Sequence, residues 1–204
     1  MAIDYHVDDL PADVDLGGIV AIDTETLGLN PARDRLCVVQ MSAGDGHCHV
    51  VHFPRPHYQA PHLVRLLNDP DVLKIFHFAR FDIAVLKRYL GADCRPVYCT
   101  KIASKIARTY TDRHGLKELC NELLGVDLSK QMQSSDWGAP SLSEAQLAYA
   151  SHDVLHLHAL RERLDHMLKR EGRDHLLEPC FDFLPHRAQL DLAGWSSTDI
   201  FAHS

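Results

Sequence analysis

The sequence predicts an α/β fold in which helices flank a mixed five-stranded sheet, with three antiparallel strands followed by parallel ones. Three short β-rich runs come first, at residues 17–25, 36–43 and 47–53, and only turn-like segments separate them. Strands joined by short turns pair as an antiparallel meander. The later strands alternate with helices, which is the pattern of parallel pairing in a layered domain.

The second part of the chain supplies the helices and the last two strands. Its elements come in the order helix, strand, helix, strand and three helices, at residues 61–69, 72–79, 80–91, 97–99, 100–110, 114–125 and 141–172. Gly91 and Gly172 stand where helices commonly end, and Ser141 or Ser143 can cap the last helix. Residues 141–172 are therefore predicted to form one long helix.

Composition limits the class of protein. The chain has 204 residues, of which 46% are hydrophobic and 24% charged, and this suits a globular domain with its own core. No apolar run approaches the ~20 residues of a membrane span, and the acidic N-terminus lacks the features of a signal peptide. The six cysteines include no C-x-x-C pair. We therefore expect a cytoplasmic protein that does not contact membranes.

The charge balance bears on nucleic-acid binding. A net charge of −7, with histidines counted as neutral, argues against a protein that holds long nucleic acid by charge alone. It does not exclude an enzyme that acts on nucleic acid, because metal-binding carboxylates make the metal-free chain more acidic than the loaded one. A histidine-rich metal-binding protein is a further alternative, but the 15 histidines are scattered. His152 and His156 could bind zinc in principle, yet solvated helix histidines are the simpler interpretation.

Two carboxylates follow directly from an apolar strand in the segment VAIDTETLG. Residues i and i+2 of a strand face the same way, so Asp23 and Glu25 project together while Thr24 points to the other side. A strand end that meets water would explain this pair. Burial of both carboxylates would instead require a counter-charge.

Further carboxylates occur in two later apolar segments. Asp82 opens a predicted helix, where the helix dipole alone would favour an acid. Tyr149 and Asp153 are four residues apart and share one face of the last helix. A tyrosine there is commonly a core residue, but an aspartate in an apolar helical stretch is unfavourable unless it is paired. Four carboxylates from three segments predict a site for two hard divalent cations, Mg²⁺ or Mn²⁺.

These motifs resemble the three exonuclease motifs of the DEDD superfamily. The motifs are D-x-E, F-D and Y-x-x-x-D, present here as Asp23-Thr24-Glu25, Phe81-Asp82 and Tyr149 with Asp153. One subclass places a histidine five residues before the last aspartate, where this chain has Ala148. Tyr149 matches the tyrosine subclass, to which RNase D belongs. The resemblance implies an RNase H-like fold and a metal-dependent 3′-5′ exonuclease.

Longer segments are similar to the compact RNase D-like proteins called nano-RNase C. These segments are DTETLGLNPARDRLCVVQ, KIFHFARFDIAVL, CTKIASKIARTYTDRHGLKEL, SKQMQSSDW and GWSSTDIFAHS. The resemblance implies an oligoribonuclease that hydrolyses very short RNAs such as pGpG to nucleoside 5′-monophosphates, and that assembles as a homo-octamer. Longer RNA or DNA 3′ ends are also associated with the group. A general RNase D-like enzyme that trims such ends is therefore the alternative.

The same resemblance implies the catalytic roles. Asp23, Glu25, Asp82 and Asp153 would hold the two metal ions, with Asp23 bridging them. Tyr149 would orient the attacking water or help to deprotonate it. A phenol with an ordinary pKa near ~10 is a poor base at neutral pH, so the metal is expected to do most of this activation.

Candidate substrate contacts lie beside these motifs and in the loops. The candidates are Thr24, Leu27, Gly28, Leu29, His77, Phe81, Arg108, Arg113, His114, Lys130, Gln133 and Trp137. A leucine after the first motif could wedge between bases, although a turn with core leucines explains the pattern equally well. The basic candidates could bind a 5′ phosphate, for which the arginine fork is well suited, or simply belong to a solvated loop. Trp137 could stack on a base or cap the core.

The whole chain, residues 1–204, is predicted to form a single exonuclease domain with its catalytic core at about residues 15–170. The tail, residues 173–204, is too apolar to be disordered and too short for a second domain. We expect it to pack on the core or on a neighbouring subunit. An inactive scaffold of the same fold is a weaker alternative, because all four carboxylates and Tyr149 are present.

Overall fold

The computed structural model describes residues 2–129, 132 and 134–203. Its strands are β1 (Ala2–Val7), β2 (Ile19–Thr26), β3 (Leu36–Ser42), β4 (His47–His52), β5 (Leu73–Phe76) and β6 (Val97–Cys99). They form one sheet in the order β1-β4-β3-β2-β5-β6. The β2–β3 and β3–β4 pairs are antiparallel, and the β2–β5 and β5–β6 pairs are parallel. The predicted mixed sheet is therefore confirmed.

The predicted number of five strands is one too few. The first residues of the chain form β1, which pairs in parallel with β4 at the edge of the sheet. All six side chains of β1 are exposed or half-buried. The strand thus lacks the alternation of buried and exposed positions by which a strand is predicted from sequence.

Helices cover the sheet. They are α1 (Pro61–Asn68), α2 (Ala79–Leu90), α3 (Thr100–Ala107), α4 (Leu116–Leu119), α5 (Glu144–Leu155), α6 (Leu157–Arg170) and α7 (Leu177–Leu190). α5 packs across β2, β3 and β4, so its inner face shares a core with the middle of the sheet. In the described part of the chain, no helix is both long enough and apolar enough to cross a membrane.

The single helix predicted over residues 141–172 is two helices, α5 and α6, that meet at His156. This residue has φ −102° and ψ −5°, in the bridge region between helical and extended backbone. Neither Pro nor Gly stands near the break, so the sequence gives no signal for it. Of the two serines that could cap the helix, Ser143 does so, through a capping box with Gln146.

The segment after α6 packs on the rest of the chain. α7 lies against α2 and β6, and the ring of Phe181 is 4.9 Å from the ring of Tyr98. Beyond α7, Asp191 forms an ion pair of 2.6 Å with Arg80 of α2. Further on, Trp195 and Phe201 are largely exposed.

Candidate active site

The end of β2 brings Asp23 and Glu25 to a cavity of about 710 Å³. The strand is buried from Val20 to Ile22 and then reaches the cavity, so both carboxylates leave the core at the same edge of the sheet. Asp153 of α5 lines the same cavity. One oxygen from each of the three carboxylates lies within 4.8 Å of the other two. Three of the four predicted metal ligands thus lie together.

The fourth carboxylate, Asp82, lies in the first turn of α2 and is almost fully buried beside this group. Its Oδ1 accepts a 2.8 Å hydrogen bond from the hydroxyl of Thr24. Burial raises the pKa of Asp23, and the nearby charge of Asp82 raises it further. Asp82 therefore belongs to the same electrostatic cluster, although it is not one of the three carboxylates that line the cavity.

The cluster is under strong electrostatic repulsion. Burial, followed by the charge of Asp153, raises the pKa of Glu25 to about 9. Burial also raises the pKa of Asp82 and of Asp153 to about 7. Among the described residues, no lysine or arginine lines the cavity to offset this charge. The four oxygen-donor groups therefore fit hard divalent cations, which would remove the repulsion.

Tyr149 lies one turn before Asp153 and lines the cavity. Its phenol is close enough to the Asp153 carboxylate for the two groups to shift each other's pKa. Burial, and then the charges of Asp153 and Glu25, raise the pKa of the phenol above its ordinary value. The hydroxyl is thus protonated at neutral pH and acts as a hydrogen-bond donor.

Gln40 was not among the residues predicted from sequence. It lies on β3 directly opposite Asp23 and is fully buried. Its Nε2 donates a 2.7 Å hydrogen bond to Oδ2 of Asp23. The available signal was a single polar residue inside the otherwise apolar run of β3, LCVVQMS.

The loop after β2 forms an apolar rim. Leu27 is 52% exposed and Leu29 is 90% exposed, and both line the cavity. They are therefore not core leucines. Gly28 between them has a packing reason to lack a side chain, because a Cβ atom there would lie 2.3 Å from a carboxylate oxygen of Asp34. That carboxylate is held by the backbone N–H of Asn30.

His77 offers a neutral imidazole to the cavity. Its Nδ1 lies 3.0 Å from the hydroxyl of Thr100, and its buried Nε2 has no hydrogen-bond partner among the described residues. Burial, and then the ammonium of Lys101, lower the pKa of His77 to about 3. The ring is thus uncharged at neutral pH.

Aromatic side chains complete the wall. Thr24, Phe81 and Trp137 line the cavity as predicted candidates, and Phe78 lines it without having been predicted. Trp137 is buried, and its ring lies 6.0 Å from that of Tyr149. It forms part of the wall and also covers the core. The ammonium of Lys101 stands 4.4 Å from the centre of the exposed Phe78 ring.

The basic candidates do not line the cavity. Arg108 is fully buried, and its guanidinium bonds Ser104, the carbonyl of Arg113 and the carboxylate of Glu122. Its expected contact with substrate phosphate is corrected to a structural role, since burial of an arginine requires such partners. Arg113 is exposed and does not line the cavity.

Of the three remaining candidates, one does not line the cavity and two lie outside the described residues. The Nδ1 of His114 is 2.9 Å from the hydroxyl of Ser104, and the residue does not line the cavity. Lys130 and Gln133 lie outside the described residues.

A mixed sheet with four clustered carboxylates at the end of its central strand defines a metal-dependent nuclease of the RNase H-like class. The family model described as 3′-5′ exonuclease matches residues 7–169, and the chain belongs to this family. Ribonuclease D of Gluconacetobacter diazotrophicus is 38% identical over 154 residues, which are 76% of this chain and 39% of that protein. DNA polymerase I of Aquifex aeolicus is 35% identical over 72% of this chain and 24% of its own. The chain spans about two-fifths of the length of the ribonuclease D relatives.

Solved structures match over the whole chain. NrnC of Brucella melitensis bound to pGG is 58% identical, with a TM-score of 0.96 and 100% of both chains covered. The same protein with bound Mg²⁺ is 57% identical, with a TM-score of 0.95 and the same coverage. Ribonuclease D of Escherichia coli, at 23% identity, a TM-score of 0.72 and coverage of 84% and 45%, shares the fold. The predicted resemblance to the nano-RNase group is confirmed.

Proposed function

We propose that this chain is a 3′-5′ exoribonuclease that hydrolyses very short RNAs, such as pGG, to nucleoside 5′-monophosphates. The observation that carries the proposal is the carboxylate cluster at a cavity of about 710 Å³. Cavities of about 300–1,000 Å³ are of the size that binds small ligands. The similarity to NrnC bound to pGG supports the same substrate class.

Two divalent ions, Mg²⁺ or Mn²⁺, are the proposed cofactors. Asp23, Glu25 and Asp153 would hold them from the cavity side, with Asp82 completing the set. When bound, such ions activate a water molecule and stabilise charge on the leaving oxygen of a phosphodiester. Gln40 occupies one oxygen of Asp23 and so fixes the direction in which the carboxylate presents its other lone pairs.

Tyr149 would hold the attacking water. Its raised pKa makes the hydroxyl a donor and a poor base at neutral pH, so it orients the water rather than deprotonating it. Tyr149 and Asp153 lie one turn apart on α5, so the helix fixes the position of the phenol relative to the carboxylate. A catalytic group on a rigid helix keeps its geometry without help from a loop.

The residues of the rim would contact the bases of the substrate. Leu29 and Leu27 present exposed apolar side chains where a base could be gripped, and Phe78 and Phe81 offer aromatic faces for stacking. The neutral His77 lines the cavity and would contact the substrate through its ring.

A 5′ phosphate would meet Lys101. Its ammonium lies over the ring of Phe78 and is close enough to lower the pKa of His77. It is thus a described cation near the cavity, unlike the buried Arg108. Lysine recognises phosphate as a point charge rather than through a fork.

A homo-octamer is the proposed assembly. The largely exposed Trp195, Ile200 and Phe201 give the tail an apolar surface of the kind that protein contacts bury. Light scattering on the purified chain tests this state directly. A mass of one protomer would contradict it.

The test of the proposed activity compares 5′-labelled RNAs of two, three, seven and twenty nucleotides. Each is incubated with the chain and Mg²⁺ or Mn²⁺, with EDTA as the metal-free control. We expect the dinucleotide to be hydrolysed much faster than the rest. Steady shortening of the twenty-nucleotide RNA from its 3′ end at a comparable rate would instead support a general RNase D-like trimming enzyme.

A further inference from the structure

Three histidines from two segments that are distant in sequence meet at the edge of the sheet. His6 of β1 and His47 and His49 of β4 lie beside Asp4 of β1. In the register of the two strands, Asp4 stands directly opposite His49. His6 follows Asp4 by two residues on β1, and His47 precedes His49 by two residues on β4. Because side chains alternate along a strand, all four project from one face.

Asp4, His47 and His49 each place one donor atom within 4.8 Å of the other two, and His6 adjoins this group through His49. Oδ2 of Asp4 lies 2.9 Å from Nε2 of His47 and 3.8 Å from Nδ1 of His49. Nε2 of His6 lies 3.1 Å from Nδ1 of His49. Ligands at about 2.0–2.1 Å from a tetrahedral metal ion are about 3.3 Å apart, and the observed distances fall on both sides of that value.

The histidines are suited to binding a metal ion. Burial lowers the pKa of His6 and of His49, which favours the neutral imidazole that acts as a ligand. The Nε2 of His47 is buried, and its polar neighbour is Oδ2 of Asp4 at 2.9 Å. Its ring stacks on that of His49 with centroids 4.7 Å apart, and His49 stacks on His6 at 5.4 Å. Asp4 is half exposed, which leaves a path from solvent.

This cluster is separate from the carboxylate cluster. His49 pairs with Met41 of β3, and Met41 pairs with Ile22 of β2, so these residues share a face of the sheet. Asp23 follows Ile22 and therefore points to the opposite face. The two sites also differ in chemistry, because imidazole nitrogens select borderline transition metals whereas carboxylates alone suit Mg²⁺.

We propose that Asp4, His6, His47 and His49 form a second metal site that binds Zn²⁺ and ties the edge strand β1 to β4. The ion joins β1 to β4, which are about 40 residues apart in sequence. Its ligand atoms stand about 3.3 Å from one another. It gives β1, which has few buried side chains, an anchor in the sheet. Mg²⁺ does not replace Zn²⁺ there, because it prefers oxygen ligands and octahedral geometry.

The test measures Zn²⁺ bound to the chelator-stripped full chain in excess Mg²⁺, together with the shift in Tm on adding Zn²⁺. We expect one tight Zn²⁺ per chain, and affinity reduced about 100-fold or more in His47→Ala and in His49→Ala. The control His57→Ala alters an exposed loop histidine and keeps the site. The double variant Asp23→Asn with Asp153→Asn disrupts the carboxylate cluster and should leave Zn²⁺ binding at the histidine site unchanged.

Two further variants protect the result against misfolding. Asp4→Asn and His6→Ala change half-exposed or exposed positions on the edge strand, so they retain the fold while weakening Zn²⁺ binding. Hydrolysis of pGG in Mg²⁺ should change little in all four single variants. Equal Zn²⁺ binding in the wild type and the histidine variants would overturn the proposal, as would a wild-type chain that retains no Zn²⁺ in excess Mg²⁺.

Discussion

Nε2 of Gln40 donates a 2.7 Å hydrogen bond to Oδ2 of Asp23, across the β2–β3 pair. The glutamine is fully buried, and its Oε1 has no hydrogen-bond partner among the described residues. The bond therefore fixes one oxygen of a carboxylate that would help to hold the metal ions. A buried donor of this kind orients a metal ligand without contacting the metal.

We expect Gln40→Leu to lower the turnover of pGG about 10- to 100-fold and to raise the Mg²⁺ concentration needed for half-maximal rate. The leucine fills similar space but cannot donate to Asp23. Initial rates over a Mg²⁺ titration measure both quantities. The control Gln40→Asn keeps an amide on a shorter side chain and should lose less activity than Gln40→Leu. Wild-type rates and Mg²⁺ dependence in Gln40→Leu would contradict this role.

We expect Thr24→Val to lower turnover about tenfold or more while Thr24→Ser stays close to wild type. The hydroxyl of Thr24 donates to Oδ1 of the buried Asp82, and a buried hydrogen bond to a charged group contributes about 1.5–3 kcal/mol. Serine keeps this donor and valine removes it at nearly constant volume. Rates and Tm values of the two variants give the comparison. Equal loss of activity in Thr24→Val and Thr24→Ser would contradict a specific role for this hydrogen bond.

The stability of the metal-free chain should fall as pH rises. The pKa of Asp82 and of Asp153 is raised to about 7 and that of Glu25 to about 9, whereas the unfolded chain has ordinary values near about 4. Between these limits the folded chain binds more protons than the unfolded chain, so its free energy of unfolding decreases with pH.

Tm in EDTA is therefore expected to fall from about pH 5 to about pH 9, and saturating Mg²⁺ should remove most of this fall. Thermal melts across that range, with and without Mg²⁺, measure the effect. The double variant Asp23→Asn with Asp153→Asn should have a flatter profile in EDTA. A Tm of the metal-free wild type that rises over this window would show that the cluster does not carry the repulsion described.

We expect Leu29→Ala to raise the KM for pGG several-fold with little change in Tm. The side chain is 90% exposed, so its truncation removes contacts with a base but almost no packing in the free protein. Leu176→Ala, at another exposed leucine far from the cavity lining, serves as the matched control. An unchanged KM in Leu29→Ala would contradict a role for the apolar rim in substrate recognition.

The carboxylate cluster could be predicted because its signals are local. Asp23 and Glu25 end an apolar strand, Asp82 opens a helix and Asp153 interrupts an apolar helical face, and each pattern is legible within about ten residues. Asp82 lies near Asp23 and Glu25 because α2 begins just after β5, the parallel neighbour of β2, and Asp153 joins them because α5 packs across β2. The order of strands and helices could also be predicted, because each element has a local sequence pattern.

Other features depend on pairing between distant segments. Gln40 acquires its role only from the β2–β3 register, and Arg108 is buried only because Glu122, in the next helical segment, supplies a partner. The strand β1 exists through its pairing with β4 and has no buried face of its own. The break at His156 has no residue that marks it.

The most direct test of the central claim measures pGG hydrolysis by Asp23→Ala in Mg²⁺. We expect turnover to be abolished while the Tm in EDTA stays equal to or above that of the wild type, because the substitution removes a repelled buried charge. Asp23→Asn, which keeps the shape but loses the charge, should also be inactive. Mg²⁺-dependent hydrolysis retained by folded Asp23→Ala at a rate near wild type would contradict the assignment of this cluster as the catalytic metal site.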